Sequence, residues 1–337
     1  MKHANIAVFV PHNGCPCRCS FCNQRTITGR VSQPGPEDVE KACVTAAING
    51  CEGKSTQLAF FGGSFTAIDR DYMLSLLDAA QPFIENGLLS DGIRISTRPD
   101  FIDDEILDIL ISKGVKAVEL GAQSMDEEVL ALNDRGHTAA QVISASRLIK
   151  QRGLELGLQM MTGLYGSNDD KDIMTAKSFT ILRPETVRIY PTVVLEGTAL
   201  ADYMRRGIYK PQELDDAVRL CSRLLTMFED AGIRVIRLGL HAEENIEKNR
   251  LAGAYHPALR ELCESEIFYE KALEALNGRP AGRYALKVSP SDISKMTGQK
   301  KKNIARLANA GYICRVIPGD LSGKYAVEAI TENVPGD

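Results

Sequence analysis

The sequence predicts an α/β protein: a partial (β/α)6 barrel of the TIM type, followed by a C-terminal α/β extension and a small basic tail module. Short apolar runs typical of buried strands alternate along the chain with longer amphipathic stretches typical of helices. Each stretch between two runs is long enough for the right-handed crossover that joins neighbouring parallel strands. Polar motifs follow several of these runs, which is where parallel barrels place their functional residues.

The elements follow in chain order. The predicted strands are Ala4–Pro11, Gln57–Gly62, Ile93–Ser96, Ala117–Gly121, Leu154–Met161 and Val187–Tyr190, with Arg234–Leu240 as a further candidate. The predicted helices are Glu37–Asn49, Asp71–Glu85, Asp103–Ser112, Glu127–Leu132, Ala139–Arg152, Lys171–Leu182 and Gln212–Asp230. We expect the barrel over residues 1–240, a helical extension that closes it over 241–282, and a small basic helix-turn-helix or KH-like module over 283–337.

Composition is that of a globular protein, with 44% hydrophobic and 25% charged residues among 337. No apolar run approaches the ~20 residues needed to span a bilayer, and the N-terminal residues lack the features of a signal peptide. We therefore expect a cytoplasmic protein without membrane contact, whose thiols stay reduced. Nine cysteines in such a protein require an explanation other than disulfides.

Four of the cysteines lie within eight residues, in the segment C-P-C-R-C-S-F-C. A zinc site typically uses two ligand pairs separated by a longer loop, and no second pair follows. Iron–sulfur clusters are held by thiolates, and Cys15, Cys19 and Cys22 form a C-x3-C-x2-C set in one short loop. Cys17 is a further candidate ligand, although its separation by one residue from both Cys15 and Cys19 is poor geometry for sharing one cluster. The scattered cysteines are interpreted as small buried hydrophobic residues: Cys43, Cys51, Cys221, Cys263 and Cys314.

The C-x3-C-x2-C motif, with Phe21 before its last cysteine, resembles the signature of the radical S-adenosylmethionine (SAM) superfamily. The resemblance implies a radical SAM barrel with a [4Fe-4S] cluster on Cys15, Cys19 and Cys22. In that family the open iron binds SAM, and one-electron reduction yields a 5′-deoxyadenosyl radical that abstracts a substrate hydrogen. It further implies that Phe21 lies near the adenine, and that an electron donor such as flavodoxin or ferredoxin is a partner.

A glycine-rich segment, F-G-G-S-F-T, follows the second predicted strand. Adjacent glycines let a backbone approach a ligand closely, although a tight turn is the ordinary reading of such a pair. The segment resembles the part of the family that receives the amino group of SAM, which implies that role for Gly62, Gly63 and Ser64. Ser64 stands where the family usually has glutamate, so a backbone group or the serine hydroxyl would be the acceptor.

Four further polar residues lie at or near predicted strand ends: Ser96, Gln123, Arg135 and Gln159. Taken singly, each is interpreted as a satisfied interior or capping residue. Together they resemble the SAM-binding positions of the oxygen-independent coproporphyrinogen oxidase branch. That resemblance implies that Arg135 faces the SAM carboxylate, which suits its planar fork, and that the other three contact the sugar and nearby polar atoms.

Longer stretches from about Val10 to Thr198 resemble the catalytic subunit of the Elongator complex and its short bacterial relatives. They are P-H-N-G-C-P, C-N-Q-R-T-I-T-G, F-F-G-G-S-F-T, I-S-T-R-P-D, V-E-L-G-A-Q-S-M, R-G-H-T and R-I-Y-P-T-V-V-L-E-G-T. That family modifies the wobble uridine of transfer RNA and couples a radical domain to an acetyltransferase domain. Two features of this sequence depart from that family. Its C-x3-C-x2-C spacing is narrower than the eukaryotic-type spacing, and we expect no acetyltransferase domain, because residues 241–337 are too few for one.

The tail is strongly basic. Residues 283–324 hold nine lysines and arginines against two aspartates, a local charge of +7 in a chain whose total is −4. A basic loop at a helical turn suits a nucleic-acid backbone, whereas a solvated helical hairpin is the alternative. The candidate nucleic-acid contacts are Lys295, Lys300, Lys301, Lys302 and Arg306.

We therefore expect a radical SAM enzyme whose substrate is RNA, in particular a transfer RNA base of the wobble uridine type. Two alternatives stay open from the residues. The same radical chemistry would serve a small metabolite such as a porphyrin precursor. An iron–sulfur or SAM-binding regulator would bind nucleic acid through the tail without catalysis.

Overall fold

The computed structural model describes residues 3–11, 19–23, 32–50, 55–240 and 244–332. The chain divides into two compact units. The first contains Met1–Gln212 and Phe228–Ala254, and the second contains Glu213–Met227 and Tyr255–Asp337. The segments predicted as helical extension and basic module therefore both contribute to the second unit.

The first unit is built on a parallel sheet of seven strands that curls into a half-barrel. Its strands occur in the order β1-β2-β3-β4-β5-β6-β8, so every neighbouring pair is joined by a crossover connection. In the described part of this unit the strands are β1 (His3–Val10), β2 (Ser55–Gly62), β3 (Ile93–Thr97), β4 (Val115–Gln123), β5 (Glu155–Thr162), β6 (Thr186–Pro191), β7 (Val193–Leu195), β8 (Arg234–Leu238) and β9 (Arg250–Gly253). The predicted partial barrel is confirmed, and the further candidate strand is its seventh, β8.

Each predicted helix corresponds to an observed one except that one is divided, and Ala199–Arg205 is a further helix that was not predicted. The predicted helix Asp71–Glu85 is two helices, because Pro82 lacks an amide hydrogen and fits the first turn of a new helix better than the interior of a long one. Helices in chain order are α1 (Pro36–Ile48), α2 (Arg70–Asp78), α3 (Gln81–Glu85), α4 (Asp104–Ser112), α5 (Glu127–Leu132), α6 (Ala139–Gln151), α7 (Asp169–Leu182), α8 (Ala199–Arg205), α9 (Leu214–Asp230) and α10 (Glu244–Asn249).

The two faces of the large sheet differ in chemistry, because successive side chains on a strand point to opposite faces. One face is apolar and fully buried, with Leu58, Phe60 and Ile95 among its residues. The opposite face carries polar and charged side chains that bond to one another across strands, including Glu119 and Gln159. The apolar face supplies the core of this unit, and the polar face holds a network of side-chain hydrogen bonds.

The second unit contains a sheet of three strands in the order β11-β10-β12. The central strand pairs in parallel with one neighbour and antiparallel with the other. Its elements after α9 are α11 (Leu259–Leu276), β10 (Gly282–Val288), α12 (Ile293–Thr297), α13 (Lys302–Asn309), β11 (Tyr312–Pro318) and β12 (Glu328–Thr331). The two short helices thus connect two parallel neighbouring strands, giving a β-α-α-β unit.

Among the described residues, no helix is both long and apolar enough to cross a membrane.

Candidate functional site

A β-bulge at the end of β4 shapes the site. The pairing register with β5 shifts between Leu120 and Gln123, and Gln123 has a φ of 65°, in the left-handed region that non-glycine residues rarely adopt. Bulges re-aim side chains and are frequent beside active sites. A Cβ atom added to Gly121 would lie 3.1 Å from Nε2 of Gln123 and 3.5 Å from Nη2 of Arg135. The glycine therefore makes room for the Gln123 side chain, and Arg135 lies next to it.

Arg135 is the centre of this group. Only 6% of the residue is exposed, and its Nη1 atom donates to the Sγ atom of Cys19 at 3.1 Å. Its Nη2 atom donates to the carbonyl of Gly121, and its guanidinium carbon lies 5.9 Å from the ring centroid of Phe21. The structure thus brings together Cys19, Phe21, Gln123 and Arg135, which were predicted from three separate places in the sequence.

His137 supports the same strand end. It is buried, and its Nε2 atom lies 3.2 Å from the carbonyl oxygen of Ala122. Burial, aided by the charges of Arg135 and Arg98, lowers the pKa of His137 to about 4. The ring is therefore neutral at pH 7, Nε2 carries the proton that the carbonyl accepts, and Nδ1 has a free lone pair. Sequence reasoning missed this residue, although it stands within the R-G-H-T motif.

Three buried polar atoms at this strand end have no hydrogen-bond partner among the described residues: Oε1 of Gln123, Nε of Arg135 and Nδ1 of His137. An unsatisfied buried polar group costs about 1–3 kcal/mol, so such groups persist where a ligand completes them. A buried guanidinium with a spare donor fits a carboxylate. This chemistry agrees with the expectation that Arg135 faces the carboxylate of SAM, and Cys19 lies beside that guanidinium.

The cysteine segment is anchored beside α5. The backbone amide of Ser20 donates to the carbonyl of Asn133 at 3.2 Å, and its hydroxyl donates to Oδ1 of Asn133 at 2.6 Å. The amide of Cys22 donates to the carbonyl of Cys19 at 3.0 Å, so these two cysteines lie on one turn. Asn133 is fully buried and was not predicted as a site residue. Cys15 and Cys17 lie outside the described residues.

The other four cysteines that the structure describes, Cys43, Cys221, Cys263 and Cys314, are buried, as predicted. Cys51 lies outside the described residues.

The glycine-rich segment adjoins the strand that leads into the cysteine motif. The amide of Gly63 donates to the carbonyl of Val10, the last residue of β1, at 2.9 Å. Gly62 has a φ of 117°, which only glycine adopts readily, and Ser64 is buried. The backbone of this segment is therefore fixed next to the end of β1.

Ser96 and Gln159 form a second polar group on the same face of the sheet. The Nε2 atom of Gln159 donates to the hydroxyl of Ser96 at 3.2 Å and to Oε2 of Glu119 at 2.9 Å. Gln159 thus bonds Glu119 directly, and Ser96 is joined to that carboxylate through Gln159. One buried carboxylate therefore fixes the orientation of the Gln159 amide.

Glu119 is the hub of an ion-pair network that sequence reasoning missed. It is 1% exposed and accepts from Nε and Nη2 of Arg188 at 2.7 and 3.0 Å, and from Nη1 of Arg94 at 3.3 Å. Arg94 also bonds Gln57 and Glu155. Burial alone would lower the pKa of Arg188, but the charge of Glu119 outweighs it and the pKa is raised. The only sequence signal was a charged residue inside an otherwise apolar run.

A buried carboxyl lies after β5. Asp172 accepts from the hydroxyl of Ser167 at 2.6 Å and from the amide of Gly163 at 2.9 Å. Burial raises the pKa of Asp172 to about 7, although both hydrogen bonds act to lower it. The hydroxyl of Tyr209 donates to the carbonyl of Gly163 at 2.7 Å. This arrangement closes the Gly163–Asn168 loop at the end of β5.

The five candidate nucleic-acid residues all lie in the second unit. Three of them form ion pairs within it: Lys295 with Glu264 and Asp292, Lys302 with Asp215, and Arg306 with Glu266. Lys300 and Lys301 are exposed at the turn between α12 and α13 and pair with no described residue.

Comparison with known families agrees with this geometry. Residues 9–178 match the Radical SAM superfamily model, and residues 184–268 match the Radical_SAM C-terminal domain model. The first match alone covers half of the chain and includes Cys15, Cys19, Cys22, Gln123 and Arg135.

Among curated proteins, the tRNA uridine(34) acetyltransferase of Methanocaldococcus jannaschii is 31% identical over an alignment of 185 residues that covers 49% of this chain and 34% of that protein. The human Elongator complex protein 3 is also 31% identical over 185 residues, with the same coverage. The tRNA uridine(34) acetyltransferase of Dehalococcoides mccartyi is 28% identical over 61% of this chain and 52% of its own length. The chain therefore spans a third to a half of these relatives.

Solved structures show the same fold. The Methanocaldococcus infernus Elp3 with an N-terminal deletion aligns with a TM-score of 0.61 and 23% identity, covering 83% of this chain and 66% of that one. Coproporphyrinogen III oxidase from Escherichia coli aligns with a TM-score of 0.50 and 17% identity, covering 68% and 53%. With the family match over half its length, this chain belongs to the radical SAM superfamily.

Proposed function

We propose that the chain is a radical SAM enzyme that modifies a transfer RNA base of the wobble uridine type. In this proposal Cys15, Cys19 and Cys22 hold a [4Fe-4S] cluster, and SAM binds at the end of β4. Once reduced by an electron donor, such a cluster would supply one electron for the cleavage of SAM, and the resulting 5′-deoxyadenosyl radical would take a hydrogen atom from the substrate. The proposal depends on one observation: Arg135 donates to the sulfur of Cys19, and its buried Nε atom has no partner among the described residues.

Each residue near Cys19 has a separate task. Arg135 places positive charge beside a cluster-ligand sulfur and offers Nε to a carboxylate, which orients a methionine-type ligand. The neutral His137 braces the Ala122 carbonyl without adding a second charge. The fixed Gly62–Ser64 backbone suits the amino group of the same ligand. Phe21 lies under the guanidinium and adds an apolar surface for the adenine.

The RNA part of the proposal draws on the relatives. Two of the similar curated proteins are named for acting on uridine 34 of transfer RNA. The proposal concerns the radical step only.

The first experiment measures SAM cleavage. The chain is reconstituted with iron and sulfide without oxygen, reduced with dithionite in place of a protein donor, and assayed for 5′-deoxyadenosine. Arg135→Gln should keep the cluster absorbance and lose SAM affinity by about tenfold or more, because a buried charge-assisted contact is removed. Arg147→Gln, which changes an exposed arginine of α6 in the same unit, is the matched control. Absence of 5′-deoxyadenosine from the unaltered chain would refute the enzyme proposal.

The second experiment identifies the substrate. Nucleosides from transfer RNA of cells with and without the gene are compared by mass spectrometry, and the proposal requires loss of a modified uridine. An unchanged profile together with active SAM cleavage would overturn the RNA substrate and favour a small metabolite.

A further inference from the structure

The turn between α12 and α13 has an unusual backbone. Gly298 has a φ of 77°, Lys300 a φ of 50° and Lys301 a φ of 61°. Two successive lysines therefore occupy the left-handed region, which favours glycine and disfavours residues with a side chain. Such strain persists only where the surrounding structure imposes it.

A buried amide holds this turn in place. Asn303 is 2% exposed, and its Nδ2 atom donates to the carbonyl of Ser265 at 2.8 Å and to that of Met296 at 3.2 Å. A Cβ atom added to Gly298 would lie 3.0 Å from the backbone nitrogen of Asn303. The turn is therefore packed directly on the helix that follows it, and its conformation is set before any ligand binds.

The basic residues around the turn divide into two classes. Lys295 pairs with Glu264 at 3.0 Å, and Arg306 makes a two-pronged pair with Glu266 while its guanidinium carbon lies 3.5 Å from the ring centroid of Tyr269. These two cations are committed to packing within the unit. Lys302 has a surface pair with Asp215.

Lys300 and Lys301 are different. Both are exposed, and neither has an ion-pair partner in the part of the chain that the structure describes. The next residue begins α13, whose N-terminus is not capped by any side chain. Exposed ammonium groups and first-turn amides together favour a negatively charged partner.

We propose that the Gly298–Lys302 turn binds the phosphate backbone of single-stranded RNA through Lys300 and Lys301. The turn joins the helices of a β-α-α-β unit, and a short turn in this position suits contact with consecutive backbone phosphates. Two unpaired lysines are too few for an anionic membrane, which typically requires clusters of 4–8 basic residues. The inference deepens the proposed function, because it rests on RNA being the substrate.

The test uses the full reconstituted chain and a fluorescein-labelled 20-nucleotide single-stranded RNA, with binding followed by anisotropy across a salt series. The variant K300G/K301G removes both charges and places glycine where the backbone favours it, so the fold is retained or stabilised. The slope of log K against log salt is negative, and each lost phosphate contact makes it shallower by about 0.7 for a single strand. Two lost contacts should make the slope shallower by about 1.4. Relative to 1 M salt, where the electrostatic part vanishes, this weakens binding about 25-fold at 0.1 M salt.

K271A/K324A is the matched control, because it removes the same charge from two positions of the same unit outside the turn, Lys324 being exposed and Lys271 partly buried. It should bind RNA within about twofold of the unaltered chain, since distant surface charges are screened by salt. K300R/K301R should bind as tightly as the unaltered chain.

Three results would overturn the proposal: normal RNA binding by the glycine variant, an equal loss in the control, or anionic vesicles bound as tightly as RNA. Dithionite-dependent SAM cleavage measured in the same preparations separates the two proposals. Lost RNA binding with intact cleavage supports the turn as an RNA contact. If the unaltered chain lacks cleavage but the glycine variant still loses RNA affinity, only the enzyme proposal fails.

Discussion

Replacing Glu119 by glutamine tests the ion-pair network of the polar sheet face. The substitution keeps the shape of the side chain and removes the charge that Arg188 and Arg94 share. Glu119 accepts four hydrogen bonds in the structure, two from Arg188 and one each from Arg94 and Gln159. A glutamine at this position offers only one acceptor oxygen, and its amide hydrogens face arginine donors.

The expected cost follows from burial. Breaking a buried ion pair by removing one partner destabilises a protein by about 3–5 kcal/mol, because the other charge stays buried. Arg94 keeps Glu155 and Gln57 as partners, so most of the penalty falls on Arg188 and the lower value applies. For a unit of this size a loss of about 3 kcal/mol lowers the midpoint of thermal unfolding by roughly 6–12 °C.

Differential scanning calorimetry provides the measurement. Glu105→Gln is the matched control, because Glu105 pairs with Arg70 on the surface and its side chain is 73% exposed. That change should alter stability by no more than about 0.5 kcal/mol. The pair variant E119M/R188M should lose less than E119Q alone, since no unpaired charge is left. A loss below about 1 kcal/mol in E119Q would refute the reasoning.

Three further predictions concern the strand ends. Gly121→Ala should weaken SAM binding about tenfold with little change in melting temperature, because its Cβ would displace the Gln123 side chain next to Arg135; calorimetric titration with unchanged affinity would contradict this. Burial raises the pKa of Asp172 from 3.8 to about 7 in the folded state, so the carboxyl of the unfolded chain ionises first as pH rises. The free energy of unfolding therefore falls by up to about 4 kcal/mol between pH 3.8 and pH 7. Asp172→Asn should remove that loss in urea unfolding measured at pH 4 and 8, and an unchanged difference would refute it. Burial lowers the pKa of His137 to about 4 from 6.5, so its contribution is complete above pH 6.5 and falls as pH drops toward 4. His137→Gln should flatten unfolding stability over that window, and a slope equal to that of the unaltered chain would be the contrary result.

The strands of the half-barrel were predictable because their signal is local. The predicted strand Val187–Tyr190 is the centre of Thr186–Pro191, and Leu154–Met161 overlaps Glu155–Thr162 within one residue at each end. Apolar residues on the buried face recur at the spacing that a strand imposes, whatever the opposite face does. Placement of motifs at strand ends then follows from the parallel topology, which brings Cys19 and Arg135 into contact across 116 residues.

The ion-pair network was not predictable from the same pattern. Glu119 bonds Arg188 across 69 residues and Arg94 across 25, so no short window contains the partners. The bulge at Gln123 was equally hidden, since it depends on the register with β5. In the tail, the count of basic residues indicated a charged surface. Only the structure separates Lys295 and Arg306, which are paired, from Lys300 and Lys301.

The polar sheet face also bears on why the barrel is incomplete. A closed TIM barrel fills its interior with branched apolar residues, and that filling supports the fold. Here the corresponding face carries Glu119, Arg188 and Gln159, whose burial contributes less to stability than well-packed hydrophobic residues of similar volume. The amide of Gln159 donates to Glu119 and to Ser96, so its oxygen is turned away from both. A network that orients one amide in an open half-barrel is better explained by ligand binding than by stability, and this argument is independent of the cysteine motif.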